Sequence, residues 1–260
     1  TTFGNTVSVG SADLKGTTYA VNNSFASGGT TTFDNSGVLT KNSTGAVTST
    51  GAFRTTGAVN LAQNITTTNT DLTISGNLVL ADNETVTLGT GAGGGDVLIS
   101  GTTDGTDSSN ANTETLVVDA GTGTATFAGA VGSAGAETLE AVTLTNSGAL
   151  GFNNTVNLAG ALTQTTAATG ATTFGNTVSV GSADLKGTTF AVNNTFGAAG
   201  NIGITNTGTV TVANSADVTA TGGSFTASGD VNLSANVTTT GGNDLTISGN
   251  LVLADNETVT

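Results

Sequence analysis

A near-identical internal copy restricts the fold of this chain more than any other feature of its sequence. Residues 1–25, TTFGNTVSVGSADLKGTTYAVNNSF, return as residues 172–196. The two changes replace Tyr19 by Phe190 and Ser24 by Thr195. Stretches this similar are expected to adopt similar local structures, so the sequence predicts a repeat protein rather than a set of unrelated domains.

A second copied stretch gives nearly the same period. DLTISGNLVLADNETVT at residues 71–87 returns unchanged at residues 244–260. Both pairs of copies agree with a long repeat of roughly 172 residues. We therefore predict a long repeat unit covering about residues 1–171, followed by a partial second copy over residues 172–260, with one continuous shaft over residues 1–260.

Apolar residues within the repeat follow a period of two in short runs. Val7 and Val9 flank a polar residue, and so do Leu72 and Ile74. This alternation is typical of β-strands. The runs are bounded by Gly, Asn, Asp or Ser, which form tight corners. The expected fold class is all-β, and strands this short suit the faces of a parallel β-helix, also called a β-solenoid.

Phenylalanines recur at a shorter interval inside the long repeat. The step from Phe3 to Phe25 equals the steps that separate Phe152, Phe174 and Phe196. If one coil takes roughly 22 residues, these side chains stack as a ladder in the core. The chain would then form about twelve coils, a rod on the order of 55–60 Å long at the spacing of stacked strands.

Asparagines follow the same step. Asn154 and Asn176 stand in the matched contexts FNNTV and FGNTV, shortly after Phe152 and Phe174. Asn is a favoured residue in tight turns. These two residues are therefore expected at a corner of the coil, where Asn side chains from successive coils lie above one another.

A second architecture is compatible with the same composition. Tandem β-sandwich domains, or sandwich subunits that exchange strands in a filament, are also all-β and rich in threonine. Such domains predict a repeat of roughly 90 to 100 residues. The observed periods, long and short, instead favour the parallel β-helix.

The charge balance restricts the partners of the chain. The sequence has 18 acidic and 4 basic residues, a formal net charge of -14. Binding to nucleic acid needs clustered Lys and Arg, so nucleic acid is not an expected partner. No apolar run approaches the roughly 20 residues that span a bilayer as a helix, and membrane insertion is not expected either.

The residue types argue against catalysis. The chain contains no Cys and no His, which removes His-assisted nucleophiles, thiol chemistry and the usual zinc clusters. Paired carboxylates remain as candidates for a polysaccharide-cleaving β-helix enzyme. We expect no enzyme activity and no cofactor, and keep that enzyme as the weakest of three functional hypotheses.

One irregular loop is the best candidate for a binding site. Residues 101–115 read GTTDGTDSSNANTET, between runs that fit strands. Asp104, Asp107 and Asn110 in this loop offer oxygen atoms to a carbohydrate or to calcium. A carbohydrate- or calcium-binding surface module is therefore the second hypothesis, with calcium as the possible ion.

The texture of the sequence resembles a known class of protein. LTISGNLVLADNETVTLGTG at residues 72–91 and LVVDAGTGTATFAGAVG at residues 116–132 are similar to the β-strand-repeat surface proteins of bacteria, of which filamentous haemagglutinin-type adhesins are examples. The resemblance extends over the whole chain. It implies a parallel β-helix shaft, secretion, and a role in adhesion, matrix or surface fibres.

These observations lead to one preferred expectation. The chain is expected to be a structural protein, the shaft of an extracellular bacterial fibre, surface filament or biofilm matrix with a possible adhesive role. An open solenoid leaves unpaired strand edges at both ends. Self-association end to end or laterally into fibres is therefore the expected partnership, together with contact to a surface or carbohydrate.

Overall fold

The computed structural model describes residues 1–106, 113–132, 138–166 and 168–254. Every element named within these residues is a β-strand. All strand pairings among them are parallel, as in the pair β10 (Ala58–Leu61) and β13 (Leu78–Leu80). The prediction of an all-β parallel solenoid is confirmed, and tandem sandwiches are wrong because their sheets are built from antiparallel pairs.

The chain winds through three strand ladders, which we call face 1, face 2 and face 3. Face 1 contains β1 (Thr2–Phe3), β4 (Tyr19–Val21), β7 (Val38–Lys41), β10, β13, β16 (Thr103–Asp104), β21 (Val156–Asn157), β24 (Val178–Val180), β26 (Phe196–Ala198), β29 (Val218–Ala220) and β32 (Val237–Thr239). Val131 takes the place of a strand between β16 and β21 through isolated bridges.

Faces 2 and 3 follow face 1 in every turn. Face 2 contains β2 (Val7–Val9), β5 (Phe25–Ser27), β8 (Val47–Ser49), β11 (Ile65–Thr67), β14 (Thr85–Gly89), β17 (Thr115–Asp119), β19 (Ala141–Asn146), β22 (Ala161–Gln164), β27 (Ile202–Asn206), β30 (Phe225–Ala227) and β33 (Leu245–Ile247). Face 3 contains β3 (Ala12–Gly16), β6 (Thr31–Asn35), β9 (Phe53–Thr55), β12 (Leu72–Ile74), β15 (Val97–Ile99), β18 (Ala125–Phe127), β20 (Leu150–Phe152), β23 (Ala168–Phe174), β28 (Thr209–Val212), β31 (Asp230–Leu233) and β34 (Leu251–Leu253). The long strand β25 (Ser182–Val192) turns the corner and serves both faces.

The solenoid has about 12 turns of roughly 20 residues. Turn length varies along it: the turn that leads from Thr2 to its partner Ala20 is short, whereas the turn that leads from Thr103 to its partner Val131 is much longer. The longest turns lie between β13 and β21, a stretch most of which occurs once in the sequence. Extra residues there are accommodated at corners, because the strand ladders continue through these turns.

The core is a narrow column between the three faces. In a typical strand such as β12, Leu72 and Ile74 are fully buried and the middle residue, Thr73, is half-buried on the outer side. Of the three side chains in such a strand, the alternation read from the sequence therefore places two inside and one outside. Few large apolar residues suffice, since each turn closes only a small cross-section and backbone hydrogen bonds join successive turns.

The two copies of the repeated sequence occupy different faces. Phe3 lies on face 1, whereas its copy Phe174 lies on face 3. Leu72 lies on face 3, whereas its copy Leu245 lies on face 2. Both shifts correspond to seven full turns and two thirds of another along the ladders. The long repeat is therefore not a whole number of turns, and identical residues face directions that differ by one face.

Asp and Asn side chains connect successive turns at the corners. The side chain of the residue just before a strand accepts a hydrogen bond. The donor is the backbone N–H of the residue just before the next strand of the same ladder. Asp71 Oδ1 accepts from Asp96 N at 3.1 Å, and Asn77 Oδ1 accepts from Thr102 N at 3.1 Å. Asp96 Oδ1 accepts in turn from Thr124 N at 2.7 Å. These bonds satisfy amides that the strand ladder leaves unpaired.

Candidate functional site

The predicted binding loop is only partly described. Asp104 closes β16 and is 7 % exposed, so it is buried although its register partner is Val79, the half-buried middle residue on the outer side of β13. Asp107 and Asn110 lie outside the described residues. The sequence suggested an exposed loop because glycine and polar residues surround Asp104; its position beside the buried strand β13 follows from a ladder pairing with Val79.

Buried polar atoms accumulate beside this loop. Glu114 is buried, and its Oε2 accepts a hydrogen bond from Thr113 N at 3.2 Å while its Oε1 has no partner. Thr103 Oγ1 is also buried without a partner. Within residues 1–106, 113–132, 138–166 and 168–254, no group of three or more acidic residues is arranged to hold a metal ion. Calcium binding by the loop at residues 101–115 stays a prediction, because Asp107 and Asn110 lie outside the described residues.

The central pair of the predicted phenylalanine ladder stacks as one column. Phe152 and Phe174 are register partners on face 3, with ring centroids 5.6 Å apart and rings 4° from parallel. Phe127, one turn earlier, continues the same stack at 4.8 Å from Phe152. The sequence step from Phe127 to Phe152 is longer than the step from Phe152 to Phe174, which is why a constant interval did not include Phe127.

The other predicted members lie on neighbouring faces. Phe3 is on face 1 and Phe25 is on face 2, and their rings meet edge to face at 5.6 Å. Phe174 on face 3 meets Phe196 on face 1 in the same way at 5.1 Å. The first turn is short, since Val7 is the register partner of Phe25, and the step from Phe3 therefore overshoots by one face. All five rings line the core, but they do not form one ladder.

The predicted corner asparagines share one corner but do not bond to each other. Asn154 Oδ1 accepts from Thr155 N and Asn176 Oδ1 accepts from Thr177 N, both at 2.8 Å. Both lead into face 1, one turn apart. Each side chain thus fixes its own turn, in the manner expected of Asn in tight corners.

Two other asparagines, which the sequence analysis did not single out, are buried. Asn35 Nδ2 donates to Gly37 O at 2.8 Å, and its Oδ1 accepts from Gly57 N at 3.2 Å. Asn206 repeats this arrangement in the second copy of the long repeat, with Nδ2 donating to Gly208 O at 2.6 Å. The step from Asn35 to Asn206 equals the step from Phe3 to Phe174, a usable signal although the sequences around the two asparagines match only loosely.

One core position carries a lysine. Lys41 is 1 % exposed and occupies an inward position of face 1 between Val21 and Leu61. Its ammonium group donates to Asn42 O and Thr44 O, each at 2.7 Å. Desolvation by burial lowers the pKa of Lys41. The bonded carbonyls reduce the cost of burying the charge but supply no negative partner.

This burial predicts a pH-dependent stability that Lys41→Met removes. Because the pKa of Lys41 is lower in the folded chain than in the unfolded chain, the unfolded state binds more protons between those two pKa values. Stability contributed by this site therefore rises as pH increases toward the ordinary lysine pKa of about 10.4. Urea unfolding from pH 7 upward should show wild type gaining stability relative to Lys41→Met.

The exposed Lys15→Met provides the control for this series, since it makes the same substitution at a lysine that lies on the surface. A difference between Lys41→Met and wild type that stays constant with pH would show that the buried charge does not limit stability.

A shallow groove on face 3 brings two carboxylates near threonines. It is lined by Asp71, Thr73, Asp96, Leu98 and Thr124, with Val97 and Thr126. Both carboxylates already accept amide hydrogen bonds from the following turn, and Asp71 lies 4.0 Å from Arg54. These carboxylates therefore hold successive turns together.

The two ends of the solenoid expose core residues. Leu245, Leu251 and Leu253 in the last turn are 46 %, 50 % and 46 % exposed. In the first turn Val9 is exposed and Val7 and Leu14 are half-buried. The exposed apolar surface of the described residues is thus concentrated at the ends of the stack.

Three comparisons with known proteins assign the chain to no family. Comparisons with protein-family models, curated proteins and solved structures find no match. Among the residues that the structure describes, no helix is long and apolar enough to cross a membrane. Function therefore has to be argued from the solenoid itself.

Proposed function

We propose that this chain is a structural protein, a shaft segment of an extracellular bacterial fibre, surface filament or biofilm matrix. The observation that carries this proposal is the continuity of the stack: residues 1–25 and their copy at residues 172–196 belong to one uninterrupted solenoid. Repeating a segment of a rod gives a longer rod with the same stiffness. It does not reproduce a local site in a fixed direction, because the copies face different ways.

The proposed location rests on the sequence. The resemblance to bacterial β-strand-repeat surface proteins, the absence of Cys and the net charge of -14 are compatible with an extracellular role. Self-association into fibres is part of the proposal, since strand edges at the ends of a solenoid favour pairing with further strands. Contact with a surface or a carbohydrate is a weaker part of it.

Labelling of intact cells tests the location. Antibodies raised against the 260-residue chain should decorate unpermeabilised cells of the organism that encodes it, and external protease should remove the signal. A cytoplasmic marker protein, which should be labelled only after permeabilisation, controls for leakage. If the chain is labelled only after permeabilisation too, an extracellular shaft is the wrong function.

A further inference from the structure

A polar groove lies where face 2 turns into face 3, inside the stack and with described turns on both sides of it. Its volume is about 270 Å³. It crosses four successive turns, those of β14, β17, β19 and β22, which follow one another in the face 2 ladder. The described polar residues that line it are Asp119, Thr122, Asn146, Ser147, Thr166 and Thr169.

The groove follows from a change in the length of the corner loops. Residues 90–96 and 120–124 join face 2 to face 3 in the first two of these turns, whereas residues 147–149 suffice in the third. The strands at both ends of each loop stay paired with those of the next turn, so the longer loops extend further from the core. Ser147 in the short loop is the only buried residue among the described residues that line the groove, and it therefore forms the floor.

A β-bulge sets the direction of Asn146 at the edge of this floor. Val118 pairs with Leu144, but Asp119 pairs with Asn146, so Thr145 is an extra residue in β19. The bulge brings the side chain of Asn146 beside Asp119, and Asn146 Nδ2 donates to Asp119 Oδ1 at 3.1 Å. Bulges that re-aim a side chain are common beside functional sites.

The carboxylate of Asp119 is held in one orientation. Its Oδ1 accepts a second hydrogen bond, from Gly121 N at 3.1 Å. Its own turn and the next turn thus fix the same oxygen atom. The other carboxylate oxygen, Oδ2, takes part in neither bond, and as a charged acceptor it can receive a strong hydrogen bond from a ligand hydroxyl.

The hydroxyl of Ser147 is the second indication of a ligand. Ser147 is 4 % exposed, and its buried Oγ has no hydrogen-bond partner in the described part of the chain. Its carbonyl oxygen is already paired, because it accepts from Thr169 N at 3.3 Å. Buried polar side chains in native proteins are nearly always hydrogen-bonded. The groove that Ser147 lines offers the space for a partner of this hydroxyl.

From this geometry we infer that the groove binds a neutral saccharide, as a single hexose or as one unit of a polysaccharide. Each sugar hydroxyl can donate one hydrogen bond and accept others. One hydroxyl would donate to Asp119 Oδ2, and a neighbouring one would pair with Ser147 Oγ. The hydroxyls of Thr122, Thr166 and Thr169 around them are donors and acceptors too, which matches a ligand that carries hydroxyls in several directions.

Charge and size disfavour other classes of ligand. The described residues that line the groove include no Lys or Arg, and Asp119 is their only charged residue, so a phosphate or sulfate group would be repelled. Calcium takes 6–8 oxygen ligands, commonly with several carboxylates, and one carboxylate is present. Ligand pockets usually measure about 300–1,000 Å³. A groove near the lower end of this range fits one sugar unit.

Titration of the purified chain with D-glucose, D-galactose, D-mannose and N-acetyl-D-glucosamine tests this inference. At least one of these sugars should shift the NMR signals of the amides of Gly121, Asn146 and Ser147 in a saturable manner, with amides of β6 to β10 as an internal reference that stays unchanged. Asp119→Asn should weaken binding about tenfold or more, because it removes a charged acceptor. Ser147→Ala should weaken it roughly threefold to tenfold.

Thr55→Val is the matched control. Thr55 Oγ1 is also buried without a partner, but Thr55 does not line the groove, so this substitution should leave saccharide binding unchanged. Both groove variants should stay folded, with thermal midpoints close to that of wild type. Asn at position 119 keeps the oxygen that accepts from Gly121 and Asn146, and Ser147→Ala removes only an unpaired hydroxyl.

Three outcomes would overturn the inference. The first is that none of the four sugars shifts the groove amides, including the case in which calcium chloride alone shifts them. The second is that binding survives either groove substitution in a folded variant. The third is that Thr55→Val weakens binding as much as Ser147→Ala does.

This inference specifies the carbohydrate contact that belongs to the proposed function, but the two fail by different results. A groove that binds none of the sugars would leave an extracellular shaft standing. Labelling of cells only after permeabilisation would refute the proposed location and leave saccharide binding by the purified chain intact.

Discussion

Phe174→Ala is expected to destabilise the solenoid by about 3–5 kcal/mol, whereas Phe3→Ala should cost less than half as much. The two residues occupy the same local sequence, TTFGNTVSV, and each ring has two aromatic neighbours. Phe174 is fully buried between its register partners Phe152 and Val192, while Phe3 is half-buried in the first described turn. The comparison therefore separates the effect of burial on stability from the effect of local sequence.

Hydrogen exchange is the suitable measurement, because turns of a repeat protein can open separately and hydrogen exchange reports the opening of the turns around each substitution. In Phe174→Ala, amides of the turns around β20, β23 and β25 should exchange much faster, with amides near β6 to β10 unaffected. The samples should be dilute enough to be monomeric. Equal effects of the two substitutions would show that Phe174 is not enclosed as described.

Gly181→Ala and Gly10→Ala should change stability in opposite directions. Both glycines occupy the sequence VSVGSADL. A Cβ on Gly181 would lie 2.7 Å from Ala159 O and 2.8 Å from Gly160 O in the preceding turn, whereas a Cβ on Gly10 has nothing within 4 Å. Separating two hydrogen-bonded turns at Gly181 should cost about 1–3 kcal/mol. At Gly10 the loss of unfolded-chain entropy should stabilise by about 0.4–1 kcal/mol.

Thermal unfolding of monomeric samples, followed by circular dichroism, measures these two shifts. The midpoint should fall for Gly181→Ala and stay or rise for Gly10→Ala. A fall of equal size in both variants would contradict the assignment of Gly181 to a closely stacked corner, since the local sequence alone would then explain the effect.

The fold class could be predicted from the sequence because the strand pattern is local. The alternation at Leu72 and Ile74 and the turn residues around them specify short strands regardless of what lies next to them. The number of turns was also predictable, since the Phe152 to Phe174 step is a true ladder step. Local patterns and a mean turn length are enough for both conclusions.

The assignment of residues to faces could not be predicted, because it depends on the length of every corner. Short turns, such as the one from Thr2 to Ala20, and long turns, such as the one from Thr103 to Val131, occur in one stack. No sequence signal gives the summed length of these turns. A small difference in turn length moves Phe3 and Phe25 onto different faces, although both remain in the core. The shift of the long repeat by one face has the same origin.

The buried polar residues were not predictable for a related reason. Lys41 stands in VLTK, where an exposed position at the end of a strand is the ordinary expectation for lysine. Its burial became visible only once the ladder placed it between Val21 and Leu61. In the candidate loop, Asp104 is buried and pairs with Val79 of the preceding turn, a position that no short sequence window shows.

X-ray diffraction from aligned rods of this chain tests the central claim most directly. Strands stacked along the long axis predict a sharp meridional reflection at about 4.8 Å, parallel to the rods. Tandem sandwich domains, or strands running along the axis, would place that spacing off the meridian or remove it. A meridian without a reflection near about 4.8 Å would contradict the solenoid shaft.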